Sequence, residues 1–416
     1  MKETSNYRRF LLLWSGELVS AIGGGLTSFG LGVYVFNQTH SAGSMALVTL
    51  LAFLPTLLLS APAGVLADRY DRRLLMMLGD GLSALGLFYI LICMTAGEAK
   101  LWQICVGVSV SSVFSSLLEP SYRATITDLL TPGEYSKASG MVSLAGSARY
   151  LVSPLLAALL LDVSGIRLIL LIDIATFFLT VACTAVVRRG LEAKKSVPEE
   201  SFKESFRVGW QAITGNRGVF VLILVSAVIT CFMGAIQILS EPMILSFADS
   251  RTLGVAETVC AMGMLVSSLL LGIRGISGHY VRTLCLSLAG AGAAMVGFGA
   301  WENIVVICAF GFLFFFLLPF ANNCLDYLAR TSIDAVKQGR AWGLISFLSQ
   351  SGYVVAYGAA GWLADRFTEV WHTTVGRGAA LVTMGAGVLL IATASFLWTI
   401  RSVRSLEAHG TTADME

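Results

Sequence analysis

Apolar runs of 18 or more residues recur along this chain, and each is long enough to cross a hydrocarbon core of roughly 30 Å as a helix. They fall at about 10–35, 45–66, 74–95, 101–119, 138–161, 168–187, 218–240, 253–273, 283–300, 303–325, 340–363 and 378–400, twelve in all. Of the 416 residues, 56% are hydrophobic and 13% charged, where an average soluble domain carries about 25% charge. A soluble helical protein would keep a polar stripe on most helices, and here whole faces lack one. The first run is not a cleaved signal peptide, because it is too long and Glu17 interrupts it. The eight cysteines (93, 105, 183, 231, 260, 285, 308 and 324) lie in or beside apolar runs, as small buried hydrophobes do. Histidines 40, 279, 372 and 409 are scattered without ligand spacing. No metal and no cofactor is expected, and a net charge of +2 gives no ground for a nucleic-acid partner.

The basic residues give the chain an orientation. With the N-terminus in the cytoplasm, 22 of the 28 Lys and Arg fall on the inner side, five on the outer side (Lys100, Arg167, Arg251, Arg366 and Arg377), and Arg149 inside a span. This is the positive-inside pattern. It predicts a multi-pass protein of the cell membrane, surrounded by lipid bilayer, with both termini cytoplasmic.

The longest non-apolar stretch, 188–217, splits the spans six and six. The expected organisation is a first six-helix bundle at 1–187, a cytoplasmic linker at 188–217, a second bundle at 218–401 and a tail at 402–416. The fold class is therefore all-α membrane protein, twelve transmembrane helices in two six-helix bundles. The halves echo each other weakly: Pro120 and Pro319 sit near the inner ends of spans 4 and 10, and span 5 begins "SGMVSL" where span 11 begins "AWGLIS". Parallel six-helix repeats are a transporter architecture. "LADR" occurs twice, at 66–69 and 363–366. The topology places the second copy at the outer end of span 11, so Asp365 corresponds by position to Asp162 and not to Asp68.

Between spans 2 and 3 the chain reads "GVLADRYDRR", 64–73, a knot of two acids and three arginines in an apolar setting. Gly64, Asp68, Arg69, Arg72 and Arg73 in this loop resemble the signature of the major facilitator superfamily, G-x-L-A-D-R-x-G-R-K, with Asp71 where the family usually has Gly. The stretch "LWSGELVSAIGGGLTSFGLGVYVFNQT" and the run from "EPSYRATITDLL" to "LVSPLLAALL" resemble its drug-efflux branch, which includes macrolide exporters. The resemblance implies a cytoplasmic gate in which the arginines clasp acids at nearby helix ends. Gly64 would let span 2 approach a neighbour, and Asp68 would accept from helix amides or pair with an arginine. Topology-setting alone is the plainer role for the three arginines.

An ionisable residue inside a span costs about 2.5–3.5 kcal/mol on insertion scales and points to function. Glu17 shares a helix face with Ser20, Ala21, Gly24 and Ser28, small and polar residues that suit a cavity. The resembled family often has Gln at this position. Arg149 in span 5 needs a partner, and Glu17 is within reach of a guanidinium. The two are proton-coupling candidates, as a pair that protonation loosens or as a static salt bridge. Asp80 is read as a partner of Arg69, Arg72 or Arg73, with a transport role as the alternative, and Asp173 as structural. Gln237, Glu241, Asn322, Asn323, Asp326, Gln350 and Tyr353 are substrate-contact candidates or helix caps.

Superfamily antiporters carry G-x-x-x-G-P-x-x-G-G in span 5. Here the helix-5 motif is degenerate, with Gly146, Ser153, Pro154, Ala157 and Ala158, whose small side chains allow close packing and whose proline allows a bend. No phosphate-binding G-x-x-x-x-G-K-[ST] loop is present, and no nucleophile–base cluster points to an enzyme. The expected function is secondary active export of a small amphipathic substrate by alternating access, driven by protons, with the protein acting as a monomer. A lipid or lysolipid flippase on the same fold is one alternative. A non-transporting membrane receptor or assembly factor is the other.

Overall fold

The computed structural model describes residues 6–131, 134–189, 207, 210–211, 213–215, 217–276, 278–333, 335–400 and 403. Among them every regular element is helical. In chain order these are α1 (Tyr7–Thr39), α2 (Ala42–Arg69), α3 (Arg72–Thr95), α4 (Leu101–Ser115), α5 (Leu118–Leu129), α6 (Tyr135–Leu151) and α7 (Ser153–Arg188). After the linker follow α8 (Arg217–Leu245), α9 (Ser250–Arg274), α10 (Tyr280–Ala300), α11 (Ile304–Ser332), α12 (Ala335–Trp371) and α13 (Val375–Thr399). The expected linker at 188–217 and tail at 402–416 lie largely outside the described residues.

Ten described segments are long and apolar enough to cross a membrane. One of them, Lys137–Arg188, is 52 residues long and is two crossings. Gly165, at φ 69°, divides it, a left-handed conformation that a residue without a Cβ adopts freely. That makes eleven crossings among the described residues, one short of the expected twelve; α12, 37 residues long, overlaps the expected run at 340–363. The fourth crossing is made of α4 and α5 in succession. The fifth is broken at Val152, between α6 and α7, just before Pro154; proline has no amide to continue the ladder and stands here in the first turn of α7.

The helices start where polar residues can satisfy free amides. Asp71 caps α3 by accepting from the Arg73 amide at 3.1 Å. Asp249 caps α9 through the Thr252 amide at 2.9 Å, Asn303 caps α11, and Thr374 caps α13. Each cap meets part of the four-amide deficit of a helix N-terminus.

The chain forms two compact units. The first comprises α1, α2 from Leu47 onward, and α3 to α7. The second comprises His40–Ala46 and α8 to α13. The start of α2 thus belongs to the second unit and the rest to the first, a division that hydropathy does not register.

In the first unit α1 lies antiparallel on the second limb of α7. Its glycines recur every seven residues on that face. A Cβ at Gly16 would sit 3.3 Å from Cys183 Cβ, at Gly23 2.7 Å from Asp173 Oδ1, and at Gly30 2.8 Å from Ile166 Cδ1. Small residues at this interval let two helix backbones close up in a medium that offers no hydrophobic drive between helices. The second unit uses the same device. Gly234 on α8 packs on Tyr353 and Ala356 of α12, and Gly292 on α10 meets Gly387 on α13.

Candidate functional site

The charged knot is built on the end of α2 and the start of α3. Arg72 is its centre. Its guanidinium pairs with Asp128 at 3.0 Å and with Asp68 at 3.8 Å, and it donates to the Ala67 and Ala124 carbonyls, both at 3.2 Å. Arg72 and Asp128 are 15% and 16% exposed, shielded enough for the pair to matter. Asp71 accepts from Arg188 Nε at 2.8 Å, so the acid that departs from the family pattern caps one helix and holds the end of another. Arg73 is buried, and Arg69 is exposed.

Two expectations for the knot are corrected. Gly64 makes no close approach among the described residues, since an added Cβ would meet nothing within 4 Å; the small residues that touch neighbours at this end are Ala63 and Ala67, both buried. Asp80 pairs with none of Arg69, Arg72 and Arg73. It stands about two turns along α3 from Arg73, is 1% exposed, and its Oδ2 has no hydrogen-bond partner.

The expected Glu17–Arg149 ion pair is not formed. Arg149 lies on an exposed face of α6 and acts electrostatically on Asp173. Glu17 and Asp173 in turn both act on Asp80. Three carboxyl groups from α1, α3 and α7 therefore share one region of the first unit. Asp173, 1% exposed, is anchored by Thr176, whose hydroxyl donates to its Oδ1 at 3.3 Å. The Glu17 face of α1 is open: Ser28 is exposed, and a Cβ at Gly24 would meet nothing within 4 Å.

The helix-5 motif is mostly packing. Ser153, Pro154, Ala157 and Ala158 are buried, and Ser153 Oγ donates to the Ile22 carbonyl of α1 at 3.0 Å. Gly25 of α1 lies against Ser153 and the Arg149 carbonyl. Gly146 is exposed, with open space where a Cβ would stand.

In the second unit the candidates separate. Tyr357 donates to Gln237 Oε1 at 3.1 Å. Tyr353 reaches Met233 Sδ at 3.1 Å, and the two tyrosine rings lie 5.7 Å apart. These residues form one amide-and-aromatic wall between α8 and α12. Asn322, Asn323, Asp326 and Gln350 are exposed. Glu241 has a buried Oε2 without a partner and lies in the electrostatic field of Glu257 on α9. Among the described residues no cluster of His, Cys, Asp and Glu is arranged to hold a metal ion.

Sequence reading missed Asp128, Arg188, Glu257 and Tyr357. Glu257 was within its reach, because it is an acid inside the eighth apolar run and the rule applied to Glu17 applies equally to it. The partners of Arg72 and Asp71 are 56 and 117 residues away along the chain, too far for local spacing to reveal.

The chain is similar to macrolide efflux protein A of Streptococcus pyogenes, 25% identical over 376 residues, which is 88% of this chain and 92% of the relative. It is also similar to the enterobactin exporter EntS of Escherichia coli O1:K1 / APEC, 23% identical over 398 residues and covering 92% and 91% of the two chains. Among solved structures, a bacterial homologue of the iron transporter ferroportin in its inward-facing state matches with a TM-score of 0.72. That match is 16% identical and covers 94% of this chain and 100% of the other. The Major Facilitator Superfamily profile matches residues 13–357. With eleven apolar crossings among the described residues, the signature loop between α2 and α3, and a family match over most of its length, the chain belongs to the Major Facilitator Superfamily of membrane transporters.

Proposed function

We propose that the protein exports a small amphipathic molecule, macrolide-like or siderophore-like in size, in exchange for protons, with both termini in the cytoplasm. The direction draws support from the relatives, which are named as exporters of a macrolide and of enterobactin. The observation that carries the coupling is the group Glu17, Asp80 and Asp173, three intramembrane acids with no ion pair among the described residues. A buried carboxyl group exchanges a proton only when water reaches it, and alternating access is a device for changing which side supplies that water. The open α1 face beside Glu17 is the route by which it would arrive. On this reading Arg149 moves from partner of Glu17 to modulator of Asp173, and the wall of Gln237, Tyr353 and Tyr357 takes the apolar and hydrogen-bonding parts of the substrate.

Proteoliposomes carrying a pH-sensitive dye test the coupling. Erythromycin added to the wild type is expected to drive proton flux, and Glu17→Gln and Asp80→Asn to abolish it while the protein stays monodisperse. Unchanged flux in both variants removes the acid group from the mechanism. Tyr70, 59% exposed in the knot, tests the orientation. A cysteine there is expected to react with an impermeant maleimide in inverted vesicles and not in intact cells.

A further inference from the structure

We propose that Glu241, backed by Glu257, forms a cation-binding subsite at one end of the tyrosine wall, and that the exported molecule carries a protonated amine that docks there. The site lies wholly within the second unit, on α8, α9 and α12, and the proton-coupling reading leaves both acids unused. Glu241 is one turn past Gln237 on α8, so the two share a face. That face meets α12 in register. A Cβ at Gly234 would lie 2.9 Å from Ala356 Cβ and 3.0 Å from Tyr353 Cδ1, and Gln237 Oε1 accepts from the Tyr357 hydroxyl at 3.1 Å. Four residues further along each helix, Glu241 stands level with Gly361. Glu257 arrives on α9, which starts at Ser250 soon after α8 ends at Leu245. At 1.5 Å per residue Glu241 is about 6 Å before the end of α8 and Glu257 about 10 Å into α9, less than one turn apart in depth.

What this pair lacks is a positive charge. Glu241 Oε2 is enclosed by protein and has no hydrogen-bond partner, and the charge acting on it is that of another acid, Glu257. Among the described residues neither carboxyl group has a salt bridge to Lys, Arg or His. An acid inside a span is costly and is kept where a cation, a proton or a polar path meets it. The neighbouring side chains suit an organic cation. The Tyr353 and Tyr357 rings, 5.7 Å apart and tilted by 35°, offer apolar surface to a substrate body, and a ring face also attracts an ammonium group. Access follows the exposure along one stripe of α12. Ser346 and Gln350 are exposed, Tyr353 is half-buried, and Tyr357 and Gly361 are buried. Glu241 stands at the buried end, where water screens a charge least. An anion of the same shape would meet two acids there and be repelled. On the transport reading above, on which this rests, the substrate narrows to an amphipathic amine.

Tetraphenylphosphonium and tetraphenylborate are ions alike in size and shape and opposite in charge. Equilibrium binding of each to the purified full chain in detergent is measured with radiolabel. The wild type is expected to bind the phosphonium about tenfold or more tighter than the borate. Glu241→Gln is expected to lose about tenfold of the phosphonium affinity, Glu257→Gln to lose less, and Glu241→Asp to keep part of it. Equal binding of the two ions by the wild type, or undiminished phosphonium binding by monodisperse Glu241→Gln, overturns the proposal. A second readout needs no variant. Dicyclohexylcarbodiimide adds to carboxyl groups in apolar surroundings, and mass spectrometry maps the adducts. The phosphonium is expected to protect Glu241 from this reagent and the borate to leave it reactive. Equal protection by both ions, or none by either, overturns the proposal. If erythromycin drives no proton flux in proteoliposomes, the coupling reading fails alone, and binding of the two ions still decides the subsite.

Discussion

Asp71 Oδ2 accepts from Arg188 Nε at 2.8 Å while Asp71 Oδ1 accepts from the Arg73 amide at 3.1 Å. One carboxylate thus begins α3 and ties down the end of α7. Replacing it with the family's usual glycine, Asp71→Gly, removes the tie outright and exchanges a strong cap for a weak one. The expected loss is about 1 kcal/mol, most of it from the tie, because glycine at a cap position costs only a few tenths. Arg188→Ala should cost less, because that side chain is 43% exposed. A double-mutant cycle on thermal unfolding in detergent checks this. A coupling energy indistinguishable from zero would mean that the contact contributes nothing beyond the cap.

Arg72 and Arg69 differ in the same loop. Arg72 reaches two carboxylates and two carbonyls, whereas Arg69 is exposed. Arg72→Ala leaves Asp128 shielded without its cation, at an expected cost of about 1–3 kcal/mol, and Arg72→Lys recovers only part because an ammonium lacks the planar fork. Arg69→Ala is expected to stay within about 0.5 kcal/mol of wild type. Melting temperatures of the three variants give the comparison, and equal effects of Arg69→Ala and Arg72→Ala would contradict the network.

The crossings were legible in the sequence because lipid demands long apolar helices and leaves little else to choose. The knot was legible because charge is conspicuous against such a background. Partners were not. Arg149 and Glu17 were matched by reach along neighbouring spans, yet Arg149 lies on an exposed face of α6 and its field acts on Asp173. Gly64 was assigned a close approach that Gly16, Gly23 and Gly30 make instead. Their seven-residue interval is visible in the sequence, but which helix they face is not. The second LADR was read as the positional counterpart of Asp162, whereas the partners its Asp365 has in the structure, the Ala42 and Gly43 amides at the start of α2, lie more than 300 residues away, beyond the reach of local spacing.

Asp249 makes a pH prediction outside the membrane. Hydrogen bonds from Thr252, the side chain first and then the amide, hold its carboxyl below the ordinary aspartate range. A folded-state value below the unfolded one means that the cap stabilises above the unfolded value of about 3.9 and is lost as pH falls through the folded value. Asp249→Ala should therefore cost about 1 kcal/mol at neutral pH. The gap to wild type should hold constant from pH 7 to pH 5 and close only in stronger acid. Unfolding curves across that range check it, and a gap that closes between pH 7 and 5 would assign the effect to another group.

Gly23 and Gly24 are neighbours with opposite surroundings. A Cβ at Gly23 would lie 2.6 Å from Thr176 Oγ1 and 2.7 Å from Asp173 Oδ1, whereas at Gly24 it would meet nothing within 4 Å. Leucine at Gly23 must push α1 off α7 and strip Asp173 of its setting, and overpacking of this kind costs about 1–3 kcal/mol or more. Leucine at Gly24 has room, so the fold should survive, but it projects from the same face as Glu17 and Ser28, the route proposed above for water and substrate. The expected outcome is a split. Gly23→Leu should fail as poorly expressed or aggregated protein. Gly24→Leu should elute as wild type and lose most erythromycin efflux, and Gly24→Ala should keep most of it. Size-exclusion profiles read the first half and cellular efflux the second. Full efflux from Gly24→Leu would show that the open face of α1 is not on the transport route.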